Sequence, residues 1–199
     1  MKMTAWILVC AVVAVGFVSG VAVAEDTPEM TAEQKEEMEA WQKAMAPGPQ
    51  HAALAEMVGD FKITVNSFME PGGEPQVSSG TASRKMIMDG RILEETVSSS
   101  VMGQPFEGRG LTGYDNVAGQ WWGSWIDSMS TGLMTTYGEW DEEEGIGTFH
   151  GEYIDPSTNM AQATRTVIHQ LEGGNERMEM FMITPAGEYK SMEILYERQ

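Results

Sequence analysis

Residues 59–67 read GDFKITVNS, and the order of apolar and polar side chains in them decides the fold. Phe61, Ile63 and Val65 alternate with Asp60, Lys62 and Thr64. Successive side chains of a strand point to opposite faces, so this two-residue period predicts a strand with one buried face. The same texture runs to the C-terminus. Turn-forming residues interrupt it at Pro71-Gly72-Gly73, Asp89-Gly90, Met102-Gly103-Gln104-Pro105, Asp115-Asn116, Ser130-Thr131-Gly132, Asp141 to Gly145, Asp155-Pro156, Gly173-Gly174 and Pro185-Ala186-Gly187. Nine turns predict ten strands, with Asp89-Gly90 read as a two-residue hairpin connection. The intervals hold strands of about eight to ten residues and no helical crossover, which excludes a parallel sheet. Ten long twisted strands joined by hairpins lose both exposed edges by closing on themselves. The expectation is therefore a mainly β chain: an antiparallel up-and-down barrel over residues 59–199, with a two-sheet sandwich as the alternative.

Upstream of the strands the composition changes. Thr27 to Ala46 is rich in helix formers, with Thr27-Pro28 as one possible start and a capping box at Thr31 and Gln34 as a second. Met38, Trp41 and Met45 recur at helical spacing and form a narrow apolar stripe. Pro47-Gly48-Pro49 ends that helix, and His51 to Val58 has room for a turn or two more. Residues 25–58 thus read as a helical segment and linker.

The first 24 residues are of another kind. Lys2 is followed by an apolar run from Ala5 to Val18 and by Ala22-Val23-Ala24 before Glu25-Asp26, the order of a cleavable secretory signal. The apolar run is shorter than the ~20 residues of a spanning helix, so no stable membrane insertion is expected after cleavage. The single cysteine, Cys10, lies inside this run, preceded by Val9, which does not suit lipid attachment. After cleavage at Ala24 no thiol remains for disulfides, nucleophilic catalysis or metal ligation. The expected location is the periplasm or the extracellular medium. With 12 basic against 30 acidic residues the net charge is −18, which argues against nucleic acid as a partner.

Several stretches together resemble a known family. PGPQHAALAEMVG ending at Gly59, FMEPG at 68–72, GTASRKMIMDGRILEE at 80–95, MGQPFEGRGLTGYDN at 102–116 and GSWIDSMSTG at 123–132 are similar to the bacterial domain-of-unknown-function 1579 family. The resemblance implies a barrel akin to lipocalins and calycins. It carries over no catalytic residue and implies no cofactor.

Candidate chemistry is sparse. Gly108-Arg109-Gly110-Leu111-Thr112-Gly113 matches a dinucleotide fingerprint, but it lies in a strand pattern that leads to another turn, not to a helix N-terminus. His51, His150 and His169 are far apart; only His150 with His169, on neighbouring strands, keeps a route to shared metal or haem ligation, and ordinary strand histidines are the simpler reading. Met178, Met180 and Met182 alternate on one strand and share a face, suited to a soft metal or, more simply, to a core or an adaptable cavity wall. Trp121, Trp125 and Asp127 share one face of their strand, with Trp122 and Ile126 on the other. Arg84, Arg109 and Arg165 fall within strands, where a buried guanidinium needs carboxylates or an anion. No cofactor, metal site or catalytic group is assigned. The leading expectation is a non-enzymatic module binding a small apolar ligand in the lumen, with Trp125, Asp127, Met134, Glu152, Arg165, Met180 and Met182 as ligand-binding residues. An enzyme using Asp127, Glu152 or Arg165 in the same lumen, and an interaction module docking through Trp41, are the alternatives.

Overall fold

The computed structural model describes residues 30–199. The expected signal at 1–24, with Cys10, and the Thr27-Pro28 helix start lie outside these residues. Helix α1 spans Ala32–Met45 and α2 spans Pro49–Glu56. Ten strands follow: β1 Gly59–Ser67, β2 Gln76–Ile87, β3 Ile92–Val101, β4 Gln104–Asp115 and β5 Gln120–Asp127. The second half comprises β6 Met134–Asp141, β7 Ile146–Asp155, β8 Met160–Gln170, β9 Glu176–Thr184 and β10 Gly187–Arg198. Every strand pairs antiparallel with its sequence neighbour, and β10 pairs with β1, so the sheet is a closed barrel.

All nine expected turns fall at connections between consecutive strands, five of them overlapping a strand end by a residue or two. One differs in length: Met88, Asp89, Gly90 and Arg91 separate β2 from β3, so the two-residue hairpin expected at Asp89-Gly90 is a four-residue connection. Met88, Asp89 and Gly90 all have positive φ, and the Arg91 amide closes the loop onto the Ile87 carbonyl. At φ +80° a Gly90 side chain meets no neighbour, so substitution acts through the backbone alone. Gly90→Val is expected to cost roughly 1 kcal/mol or more. A thermal melt unchanged from the parent would contradict this.

The two-residue period also misses a bulge in β10. Lys190 pairs with Phe181 but Met192 pairs with Met180, leaving Ser191 as the extra residue. Its hydroxyl donates to the Met180 carbonyl. The bulge flips the parity of the strand, so that Tyr189 and Met192 both stand opposite inward methionines of β9.

Phe61, Ile63, Ala82, Val97, Ile194 and Tyr196 form one buried inner cluster on β1, β2, β3 and β10. A second, built from Leu54, Leu93, Trp121 and Phe149, lies at one end of the barrel. Leu54 belongs to α2, so this helix closes that end. Its placement is held at both termini. His51 Nδ1 accepts a hydrogen bond from the Gly48 amide at the start of α2. At the other end Arg198 donates to the carbonyls of Glu56 and Val58, tying the last strand to the helix C-terminus.

Glycines let the aromatic side chains lie flat on the wall. Trp125 stands opposite Gly110, Trp122 opposite Gly113, Trp121 opposite Gly138 and Trp140 opposite Gly147. A Cβ on Gly108, Gly113 or Gly147 would overlap an indole ring of Trp125, Trp122 or Trp140 respectively. The run from Gly108 to Gly113 is therefore a strand packed against rings, as the absence of a following helix suggested.

Helix α1 begins at the expected capping box. Thr31 accepts from the Gln34 amide and the Gln34 side chain accepts from the Thr31 amide. None of its residues is buried, and Trp41 is 62% exposed. Its C-terminus is fixed to the closed end by side chains: Arg91 donates to the Met45 carbonyl, and Asn116 donates to those of Ala44 and Ala46. A cation at the last carbonyls also suits the helix dipole.

Candidate functional site: the barrel lumen

Register and burial fix which residues face inward. From β4 to β6 these include Phe106, Gly108, Gly110, Trp125, Asp127 and Met134; from β8 to β10 they include Thr164, Thr166, Met178, Met180, Met182 and Met192. Thr164 and Thr166 are buried, whereas Phe106, Trp125, Met134, Met180, Met182 and Met192 are half-buried. These half-buried inward side chains keep some contact with solvent. They lie away from α2, toward the β3-β4, β5-β6, β7-β8 and β9-β10 connections.

Trp125 is the best-defined group there. Its indole N–H donates to Asp127 Oδ2 at 3.0 Å, while Asp127 Oδ1 accepts from the Met129 amide. The ring lies on Gly108 and Gly110 and stacks on Phe106, with centroids 6.5 Å apart and planes 19° from parallel. Hydrogen bond, glycine floor and stacked neighbour leave the indole little rotamer freedom, so it offers a preset aromatic face. Opposite it in the same cluster are Met178 and Met192. Tyr153 donates its hydroxyl to the Met182 sulfur at 3.8 Å; burial first, then Asp155 and Tyr189, push its pKa up and keep it protonated.

Between the two apolar clusters lies a charged layer. Arg84 donates through Nε to Glu95 and through Nη1 to both oxygens of Glu176, at 2.8 and 2.7 Å. The side chains are 8%, 15% and 5% exposed for Arg84, Glu95 and Glu176. Phe61 and Tyr196 cover the guanidinium, with centroids at 4.9 and 4.6 Å. Burial opposes the charge on Arg84, but Glu95 and Glu176 outweigh it and hold the group charged, above its ordinary pKa. Burial, then Glu95, likewise raises the Tyr196 phenol, keeping it a hydrogen-bond donor. The Arg–Glu network expected for a strand arginine is thus real for Arg84.

Two residues expected in the lumen are elsewhere. Glu152 pairs with Thr135 and is exposed, one position out of phase with inward Gly151. Arg165 lies between buried Thr164 and Thr166 and so projects outward, where it pairs with Glu188 and covers the Phe181 ring at 4.3 Å. A one-residue offset on a strand reverses the face, and composition alone did not fix the phase at these positions. Arg109 is also outside, 3.8 Å from Glu94. Trp125, Asp127 and Met134 face inward from β5 and β6, and Met180 and Met182 from β9.

His150 and His169 do not meet. They occupy the same outer face, but His150 pairs with Arg165 and His169 with Ile146. Four positions along a strand separate them by about 13 Å, too far for one ion. Instead His169 approaches Glu179 at 3.3 Å, and Lys190 bridges Glu179 at 3.0 Å and Glu193 at 2.9 Å. Hydrogen bonds from Lys190, then Asn66, hold the Glu193 carboxyl below its ordinary pKa of 4.5. A depressed folded value contributes stability above the unfolded pKa that is lost as pH falls through the folded one. Lys190→Met should therefore cost on the order of 1 kcal/mol at neutral pH. That gap should narrow as pH falls below the carboxylate range; a constant gap in acid urea melts would show the pair contributes nothing.

A family model described as "Protein of unknown function (DUF1579)" matches residues 46–198. The chain belongs to this family. The DUF1579 match covers α2 and all ten strands and begins after α1. No curated protein matches the chain. Among the described residues, no helix is long and apolar enough to cross a membrane.

Proposed function

We propose that this DUF1579 protein is an exported, non-enzymatic binding module that takes a small, largely apolar molecule into the open end of its barrel. The observation that carries this reading is the fixed Trp125 ring. It is held by Asp127, floored by Gly108 and Gly110, and left half-buried in the cluster that holds Met178 and Met192, in a barrel that α2 covers at the opposite end. Rigid aromatic area beside pliable thioethers suits an apolar guest whose shape varies. Export rests on the Lys2, apolar run and Ala22-Val23-Ala24 order.

A neutral environment-sensitive dye such as Nile red tests the binding reading. It should bind saturably, with its emission shifted to the blue. Trp125→Ala and Met180→Ala should each weaken the affinity about 10-fold, an effect of about 1.4 kcal/mol within the range of one lost apolar contact surface. No saturable uptake by the folded protein would reject the proposal. It would favour docking through the exposed α1 stripe of Met38, Trp41 and Met45 instead.

A further inference from the structure

The end of the barrel away from α2 differs in composition from the α2 end. Five connections meet there: β1-β2, β3-β4, β5-β6, β7-β8 and β9-β10. Four of them, residues 102–103, 128–133, 156–159 and 185–186, contain no charged residue, in a chain whose net charge is −18. The fifth, 68–75, holds Glu70 and Glu74, and none of the five holds a lysine or arginine. Each carries or adjoins an exposed large apolar side chain: Met69, Met102, Met129 with Leu133, Met160 and Ile183. At the α2 end the exposed Met88, Val117 and Leu171 stand instead close in sequence to Asp89, Arg91, Asp115 and Glu172.

Neither packing nor backbone accounts for the apolar rim. Met102 is 85% exposed and has φ +50°, a conformation that asparagine, aspartate or glycine adopts at less cost. The β5-β6 turn is ordered by its own side chains: Asp127 accepts from the Met129 amide, and Ser130 from the Gly132 amide. Met129 and Leu133 are thus exposed on an ordered turn. Single exposed apolar residues need no explanation, but a ring of them around one end marks an interaction surface.

Charge and arrangement decide the occupant. A second copy placed end to end would bring two strongly acidic chains together, with Glu70 and Glu74 of each near the contact and no lysine or arginine on these turns to offset them. Anionic lipid would be repelled for the same reason. The apolar groups also stand on separate turns rather than on one strand face, and a fluid interface accommodates such groups one by one. We propose that this rim seats the protein on a lipid surface of zwitterionic headgroups, with Met102, Met129, Leu133 and Met160 reaching the acyl boundary. The barrel wall stays in water, since its outward face carries Lys62, Lys85, Glu94 and Arg109. This seating goes beyond the lumen reading and does not require a guest in the lumen.

The test uses the full chain with Cys10→Ser, so that a cysteine placed elsewhere is the single thiol. A nitrobenzoxadiazole label, whose emission reports its surroundings, is attached at Leu133→Cys on the rim or at Trp41→Cys on α1, the other exposed apolar site. With phosphatidylcholine vesicles the label at 133 is expected to shift to the blue and to be shielded from iodide, while the label at 41 stays in water. Met102→Asp, unlabelled, should raise the lipid concentration for half-binding about tenfold. Aspartate suits the positive φ at 102, so this variant keeps its fold, which a thermal melt checks. Replacing half of the lipid by phosphatidylglycerol should weaken binding at low salt; tighter binding to that mixture overturns the choice of headgroup. A label at 133 that remains in water on bound vesicles overturns the proposal, as does binding that Met102→Asp leaves unchanged. A shift at 41 alone overturns it by assigning the lipid contact to α1. A shift at 133 that grows with protein concentration in the absence of vesicles overturns it by making the rim a contact between copies. Failure to bind vesicles rejects the rim proposal and leaves the dye result for the lumen standing.

Discussion

Arg84→Met is expected to lower the stability of the barrel by about 3–5 kcal/mol, the cost of removing one partner from a buried ionic cluster. Most of that loss comes from what remains. Glu95 and Glu176, 15% and 5% exposed, would face each other across the space the guanidinium now fills, and neither can turn to water. The rings of Phe61 and Tyr196 would lose their cation as well. Replacing all three charged residues together, as Arg84→Met, Glu95→Leu and Glu176→Leu, should return much of the loss, because an apolar layer of similar volume has no charge to desolvate. Urea melts of the single and triple variants distinguish the outcomes. A single variant within 1 kcal/mol of the parent would mean that the layer admits water freely. The layer would then be part of the open lumen rather than a partition beneath it.

The fold was legible because its signals are local. Phe61, Ile63 and Val65 announce the first strand, and turn residues at nine places set the count of ten without any knowledge of pairing. Closure followed from the edge problem rather than from any residue. The lengths of connections were less legible, since Met88 and Arg91 look like strand residues and become part of the loop only through backbone torsions. The bulge at Ser191 left no sequence signal: it shows only in the pairing, where Lys190 meets Phe181 and Met192 meets Met180.

The site divides in the same way. Trp125 and Asp127, and Met180 and Met182, were placed on shared faces by parity within one strand, and the structure joins those faces in one lumen. Glu152 and Arg165 were chosen for their chemistry without a fixed phase, and both lie outside. The Arg84 network required knowing that β2, β3 and β9 converge, which no window of sequence contains; a glutamate at 95 and another at 176 look like any of the 30 acidic residues. Arg198 was missed for the same reason. It reads as a solvated C-terminal charge, and only the closure of β10 onto β1 brings it to the carbonyls of Glu56 and Val58.

Phe61 joins these two arginines, and Phe61→Ala is expected to cost about 3–5 kcal/mol. The residue is fully buried, packs edge-on against Tyr196 with centroids 5.9 Å apart, and lies between the guanidinium of Arg84 at 4.9 Å and that of Arg198 at 5.2 Å. Truncation removes the ring from the inner cluster and opens a cavity that the flanking strands, paired along both edges of β1, cannot collapse to fill. It also removes the surface that positions Arg198 on the α2 carbonyls, so the closed end should loosen together with the core. Two residues that share a partner in this way should not act additively. In a double-mutant cycle, Arg198→Ala should cost less in the Phe61→Ala background than in the parent, because part of what Arg198 holds has already been released. Amide exchange in α2 should quicken in each single variant. Additive melts with unchanged α2 exchange would mean that the plug is held by Leu54 alone, and that Phe61 is a core residue with no part in sealing the barrel.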